Sequence, residues 1–332
     1  MPNPEKLKLV KEHARPAPTF TIARVPDLSR VFFGTAEFKV YEADLAAEKL
    51  EPKELYAHGS YVSGMALAGR MLISGGWDGK LVWWDTEAGK QVRSLDAHAK
   101  WIRAVVASPD AKTIASVADD MVCRLWDAES GKLLKELRGH QEKTPHHYPS
   151  MLYAVTFSAD GKHIATGDKT GHVVIWDSAT GNQITTLAAP VMYTWDPVQR
   201  RHSIGGIRAL AFSPDGTTLA VGGIGKIGNI DHLEGKARIE AFDWATGKTL
   251  FEFESDKFKG IVNQLAWSPD GDWLLGAGGA GEGFLLFVDA TEKKALRQEK
   301  ASTHIHSIAL SDNAESLYAV GHNKISIYEL KG

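Results

Sequence analysis

A single cysteine, Cys123, stands among 332 residues. One thiol excludes an intramolecular disulfide and a multi-cysteine zinc site, and nothing in the chain calls for an oxidising compartment. An excess of charge of one sign is also missing. The 38 Lys and Arg residues meet 41 Asp and Glu, a formal net charge of -3, which argues against nucleic-acid binding driven by bulk positive charge. Arg200-Arg201 and scattered lysines are the features that would have to carry such binding. No run approaches the ~18 uninterrupted apolar residues of a membrane span. The opening MPNPEKLKLVKEHARPAP is basic but has no apolar core for a secretory signal, so the expectation is a cytoplasmic protein without a membrane partner. Amphipathic helical periodicity is absent as well. What is plentiful is glycine, at 32, and tryptophan, at 10, against 13 prolines. That balance points to many tight turns and a recurring aromatic position, not to disorder.

The recurrence is visible by direct alignment. LVWWDTEAGK, CRLWDAESGK, VVIWDSATGN and IEAFDWATGK superpose without gaps and place an aromatic residue before Asp at Trp84-Asp85, Trp126-Asp127, Trp176-Asp177 and Phe242-Asp243. Weaker copies stand at Tyr41-Glu42, Val288-Asp289 and Tyr328-Glu329. These are seven units of about 42 residues, with additional chain in two intervals. Between them runs a second signature: Ser108-Pro109-Asp110, Ser158-Ala159-Asp160-Gly161, Ser213-Pro214-Asp215-Gly216, Ser268-Pro269-Asp270-Gly271 and Ser311-Asp312-Asn313. Apolar alternation at period two flanks each copy, as in IRAVVAS before one turn and TIASVA after it. Period two reads as strand, and Pro-Asp-Gly reads as a hairpin turn, because Pro presets one dihedral and Gly supplies positive φ. A further turn at the Thr-Gly or Ser-Gly after each aromatic-Asp pair makes four short antiparallel strands per unit.

The period, the Trp-Asp dipeptide, the Ser-Pro-Asp-Gly turn, and Gly139-His140 with Ala57-His58 and Ala97-His98 together resemble the WD40-repeat family over nearly the whole chain. The resemblance implies an all-β, seven-bladed β-propeller of four-stranded antiparallel blades. As a single domain over 1–332, its blades fall at about 17–57, 60–96, 99–138, 150–188, 204–254, 260–299 and 303–330. The last copy is one strand short, and KLKLVKE near the start resembles the fourth strand KLLKELR. Residues 6–13 are therefore expected to complete the seventh blade.

The resemblance also implies a buried tetrad of His, Ser or Thr, Asp and Trp in each complete blade. Blade two offers His58, Ser74, Asp78 and Trp84, and blade three offers His98, Ser116, Asp120 and Trp126. Blade four keeps His140, Thr166 and Trp176 but has Thr170 where Asp belongs. A Ser-His-Asp set invites a hydrolase reading. Its repetition, with an indole to occupy the Ser, favours a satisfied polar network instead, and no catalytic residue is assigned. Cys123, on an alternating strand, reads as a buried structural thiol. GGIGKIG and GAGGAGEG precede no helix, and their Lys is not followed by Ser or Thr, so they are not phosphate loops.

Three insertions depart from the repeat, at 141–150, 189–203 and 223–236. In a four-stranded meander, the connection into a blade and the turn between its second and third strands emerge on one face. All three insertions are thus expected over blades four and five on that face. They carry Tyr148, Met192, Tyr193, Trp195, Arg200 and Arg201, types enriched where proteins bind partners. The family alignment implies a ring at the channel mouth formed by Phe20, Ser63, Arg103, Tyr153, Arg208, Asn263 and His306, with Trp101 two residues before Arg103. Arg103, Arg208 and His306, with no carboxylate in that ring, suggest an electropositive mouth suited to an acidic partner segment.

Function is accordingly expected to be non-enzymatic: a scaffold, without cofactor, that binds a protein or peptide segment as a monomer or within a larger complex. The alternative is a metal site or metal-dependent enzyme using His146, His147 and His202 with Asp196 or Asp231, or His304 and His306. Imidazole with carboxylate suits zinc.

Overall fold

A computed structural model describes every residue except Met1, Gln199, Arg200, His232 and Gly332. Seven four-stranded antiparallel sheets and one two-stranded sheet account for its regular structure. Helix is confined to the single 3₁₀ turns Pro4–Lys6 and Pro190–Met192 among the described residues, and no helix there is long and apolar enough to cross a membrane. The chain divides into two compact units, Met1–Glu136 with His306–Gly332, and Leu137–Ile305.

The first unit holds blades one, two, three and seven. Blade one is Thr19–Arg24, Arg30–Thr35, Lys39–Asp44 and Lys53–Ala57. Blade two is Val62–Ala68, Met71–Gly76, Lys80–Asp85 and Lys90–Asp96. Blade three runs Ile102–Ala107, Thr113–Ala118, Cys123–Asp127 and Leu133–Leu137. Second strands such as Met71–Gly76 are buried along their whole length, whereas the fourth strand Lys90–Asp96 is mostly exposed. A strand buried on both faces loses its period-two pattern because either side must be apolar. Phe32, Val40, Val62 and Leu72 pack blade one on blade two, and Ile73, Trp83, Ile102 and Trp126 pack blade two on blade three.

Blade seven consists of Ile305–Leu310, Ser316–Gly321 and Lys324–Glu329, completed by Lys8–Ala14 from the start of the chain. The register runs from Lys8 opposite Glu329 to Ala14 opposite Lys324, with a bulge between Leu9 and Lys11. Glu12 accepts from Lys324 Nζ at 3.0 Å and Ser326 Oγ at 3.1 Å. The strand starts two residues later than the expected 6–13, because Asn3 and Pro4 hold Glu5 and Lys6 in a 3₁₀ turn.

The second unit holds blades four, five and six. Blade four is Leu152–Phe157, His163–Asp168, His172–Asp177 and Gln183–Ala188. Blade five is Ala209–Phe212, Thr218–Ile224, Lys236–Asp243 and the long Lys248–Lys259. Blade six is Ile261–Trp267, Trp273–Gly279, Gly283–Asp289 and Ala295–Ala301. The glycine-rich GAGGAGEG belongs to two of these strands. A Cβ on Gly278 would lie 1.8 Å from the Ile261 carbonyl oxygen, so glycine there permits a close backbone approach.

The repeated aspartates order the turns. In the Ser-Pro-Asp type, the Ser hydroxyl donates to the Asp carboxylate, at 2.6 Å for Ser108–Asp110 and 2.5 Å for Ser213–Asp215. The Asp of each aromatic-Asp pair accepts backbone N–H groups of the following turn, as Asp127 does from Ser130 at 2.7 Å and Asp177 from Thr180 at 2.7 Å. These side chains replace hydrogen bonds that a reversing backbone cannot make to a strand.

Removing residues 1–14 strips the fourth strand from blade seven and exposes its edge. The truncated chain is expected to melt at least ~5 °C lower than the intact one by differential scanning calorimetry; an unchanged melting temperature would contradict closure of blade seven by this strand.

Candidate functional site

The Ser-His-Asp constellations are polar cores of their blades. In blade three, Trp126 Nε1 donates to Ser116 Oγ at 2.9 Å, Ser116 lies 2.7 Å from His98 Nε2, and His98 Nδ1 lies 3.1 Å from Asp120. With the indole N–H on its oxygen and the imidazole beside it, Ser116 is held within this network. Ser116 is fully buried, so no substrate carbonyl can reach it. Burial outweighs the carboxylate and lowers the pKa of His98, while Asp120 is held well below the carboxylate range against its burial by His98 and Arg124.

Two tetrads differ from the expected residues. In blade two the hydroxyl beside Ser74 Oγ is that of Tyr56, at 2.9 Å, and Trp84 stacks on the Tyr56 ring with centroids 5.1 Å apart. Tyr56, on the fourth strand of blade one, thus takes the seat assigned to Trp84. In blade four the missing Asp is present two residues early. Asp168 Oδ2 lies 2.8 Å from His140 Nδ1, while His140 Nε2 and Trp176 Nε1 meet Thr166 Oγ1 at 2.8 and 2.9 Å. Residues 166 and 168 share a strand face, so Asp168 reaches the histidine from within the strand, and Thr170 donates to it at 2.7 Å. Cys123 is buried, and burial raises its thiol pKa, as befits a packing residue.

The three insertions meet within the second unit. The 141–150 segment is a tight excursion in which Ser150 N–H donates to Glu142 at 2.9 Å and His147 N–H to Thr144 at 2.9 Å. The 189–203 segment, expected as a loop, forms a β-hairpin: Tyr193–Asp196 pairs with His202–Gly205, with Trp195 opposite Ser203. Gly205 holds φ at +105°, and a Cβ there would fall 2.1 Å from the Met192 carbonyl oxygen. His146 stacks on Trp195 with centroids 4.1 Å apart and planes at 10°, and its Nδ1 lies 3.0 Å from Tyr193 Oη. Tyr148 packs on Trp195 at 5.4 Å and stays 40% exposed. The third insertion ties in through Ile227 N–H, which donates to Thr194 Oγ1 at 3.1 Å. Ile224 and Ile227 pack with Ile204, Leu233 and Ile261 beneath it. Arg201 is exposed, and Arg200 lies outside the described residues.

The remaining candidates divide between the units. In the second, the Arg208 guanidinium sits 3.4 Å above the Tyr153 ring, and Tyr153 is buried. No carboxylate lies within ion-pair distance of Arg208 among the described residues. In the first, Trp101 is 45% exposed and stacks on Trp77 at 4.3 Å with planes 4° apart. Arg103 lies over both indoles and forms a bidentate pair with Asp119 at 2.8 and 2.7 Å. The charge expected of Arg103 at an electropositive mouth is therefore neutralised: counting first-strand positions alone overlooked Asp119, which follows the second strand. His306 contacts Phe20 at 5.0 Å and His322 at 4.7 Å. Trp77 was missed by sequence reasoning, although a large indole in the polar turn Gly76-Trp77-Asp78-Gly79 is itself a signal.

The histidines named for a metal are not drawn together. His146 is committed to Tyr193 and Trp195, and His304 lies 2.8 Å from both the Ala280 carbonyl and Asn263 Nδ2. The one group of three potential ligands among the described residues is His140, Asp168 and His172. There both His140 nitrogens already serve the blade-four tetrad.

The model of the WD domain, G-beta repeat, matches residues 51–85, 89–127, 131–177, 195–226 and 247–283, more than half of the chain. A nuclear distribution protein PAC1 of Arthroderma benhamiae is 31% identical over 172 residues, 47% of this chain and 34% of that protein. Protein tipD of Dictyostelium discoideum is 24% identical over 326 residues, 86% of this chain and 48% of its own length. A guanine nucleotide-binding protein subunit beta of Oryza sativa subsp. indica is 29% identical over 153 residues, covering 46% and 38%. The chain thus spans between a third and a half of these relatives.

Two outcomes test the tetrads. Tyr56→Phe is expected to destabilise by about 1–2 kcal/mol in urea unfolding, more than Trp84→Phe, since it leaves a buried hydroxyl short of a partner; the reverse order would restore Trp84 to the tetrad. Burial lowers the folded-state pKa of His98 and of His172 below 6.5. The unfolded chain then binds more protons as pH falls through 6.5, so stability present above that pH is lost below it. The urea midpoint should drop between pH 7.5 and pH 5, on the order of those titrations, and a flat profile would contradict neutral burial of these rings.

Proposed function

This chain belongs to the WD40 family, and on that premise we propose that it is a non-enzymatic scaffold that binds a protein or peptide segment. The observation that carries the reading is the joining of three separate insertions into one half-exposed surface of Tyr148, Tyr193, Trp195 and His146. Chain added to a repeat at three places needs no mutual contact for the blades to fold. Its convergence on an aromatic patch with interlocked side chains supplies a rigid binding surface with little ordering entropy left to lose. Arg201 and Arg208 are its cationic contacts, which favours an acidic segment. Trp101, Arg103 and His306 are proposed as a further contact area on the first unit, where aromatic stacking and not net charge is the means. A relative named as the beta subunit of a guanine nucleotide-binding protein supports a role within a larger assembly. The polar constellations of the blades are committed internally, which supports binding over catalysis.

The test replaces residues 189–203 by a short Gly-Ser link and compares affinity captures with wild type. Partners should be lost from the variant while its melting transition remains cooperative, and Trp195→Ala should weaken capture at least about tenfold. Identical capture by a folded variant would overturn the assignment.

A further inference from the structure

At the opposite strand ends from the insertions, a cavity of about 290 Å³ opens between blades five and six. Its walls are the Ser213–Thr218 turn, Leu250 and Phe251 of the fourth strand of blade five, Trp267, the Asp270-Gly271 turn, and Ala290 with Lys293. The floor is apolar and held in place: Phe251 and Trp267 pack on the core between these blades, and Trp267 Nε1 donates to the Ala211 carbonyl at 3.1 Å. The rim is acidic. Two other turns of the same type pair their carboxylate with a cation, Asp160 with Lys162 at 3.3 Å and Asp312 with Arg24 at 2.5 Å, whereas Asp110 has only its turn hydrogen bonds. No cation lies within ion-pair distance of Asp215 or Asp270 among the described residues. Lys293, the cation on the wall, donates its ammonium to the Leu250 carbonyl at 3.3 Å. The Ser213 hydroxyl and the Thr217 N–H lower the pKa of Asp215, and the Ser268 hydroxyl lowers that of Asp270, so both are ionised at neutral pH.

We propose that this cleft is a second binding site, which takes an arginine side chain from a segment of a partner protein. The volume lies just below the ~300–1,000 Å³ of typical ligand sites, enough for one long side chain and its flanking backbone. Two ionised carboxylates on one rim favour a cation. Half-buried Phe251 and Trp267 favour a planar guanidinium, which stacks on aromatic rings and forks to carboxylates, over a compact, strongly hydrated ammonium. The guanidinium lies over the aromatic floor and donates to Asp215 and Asp270, while its methylene stem covers Leu250 and Ala290. The site does not rest on the insertion-bearing surface, and together the two make the chain able to join two partners.

The probe is acetyl-Ala-Arg-Ala-amide titrated into the full-length ¹⁵N-labelled chain, with the Lys and Gln analogues alongside. Saturable shifts are expected at the amides of Gly216 and Gly271 and at the Trp267 indole, with a Kd of about 1–10 mM for so small a ligand. The Asp215→Asn/Asp270→Asn variant should weaken this at least about tenfold, and Lys293→Glu, which adds a carboxylate, should tighten it severalfold. Misfolding cannot mimic that gain. The chain with 189–203 replaced should bind the peptide as wild type does, which separates this site from the other surface. No saturable shift, equal binding of the Gln analogue, or equal binding of the Lys analogue would each overturn the assignment.

Discussion

Sheets that are apolar on both faces cannot stand alone in water, and everything else in this chain depends on that constraint. Strands such as Met71–Gly76 and Trp273–Gly279 are buried along their entire length, so each blade is stable only between neighbours. The first strand of the chain meets a different need, an edge left without a hydrogen-bonding partner. Without Lys8–Ala14, the last blade would present the unpaired edge of Lys324–Glu329.

With both faces used for packing, polar function is pushed to the strand ends. The buried polar groups that remain are satisfied in tetrads, and two of these show how tolerant the network is. Blade two replaces an indole with the Tyr56 hydroxyl from the adjacent blade, and blade four draws its carboxylate from within the strand. What the network requires is a donor for the Ser or Thr and an acceptor for the imidazole, not a residue at a set position.

The strand ends are where this chain differs from a minimal repeat. At one end, three insertions condense around Trp195; at the other, a gap between two turns brings two carboxylates to one cleft. The first feature arises from chain added to blades four and five, whereas the second is built on two of the recurring Ser-Pro-Asp-Gly turns. The insertion surface is thus carried by residues outside the repeat, and the cleft by residues that also order its turns.

Period-two alternation, the aromatic-Asp recurrence and the Ser-Pro-Asp turns determined seven four-stranded units, their order, the closing strand and the positions of the insertions. These are local signals: a turn or a strand is encoded by residues adjacent in the chain. Only the tertiary structure decided that Asp119 neutralises Arg103, that Tyr56 displaces Trp84, that the 189–203 segment is a hairpin stacked on His146, and that Asp215 and Asp270 face one cleft. Each depends on which side chains from different strands or blades come within 3 to 5 Å, a property of packing between elements. A repeat alignment assigns positions one strand at a time, so it registers the scaffold and leaves the contacts between strands undetermined.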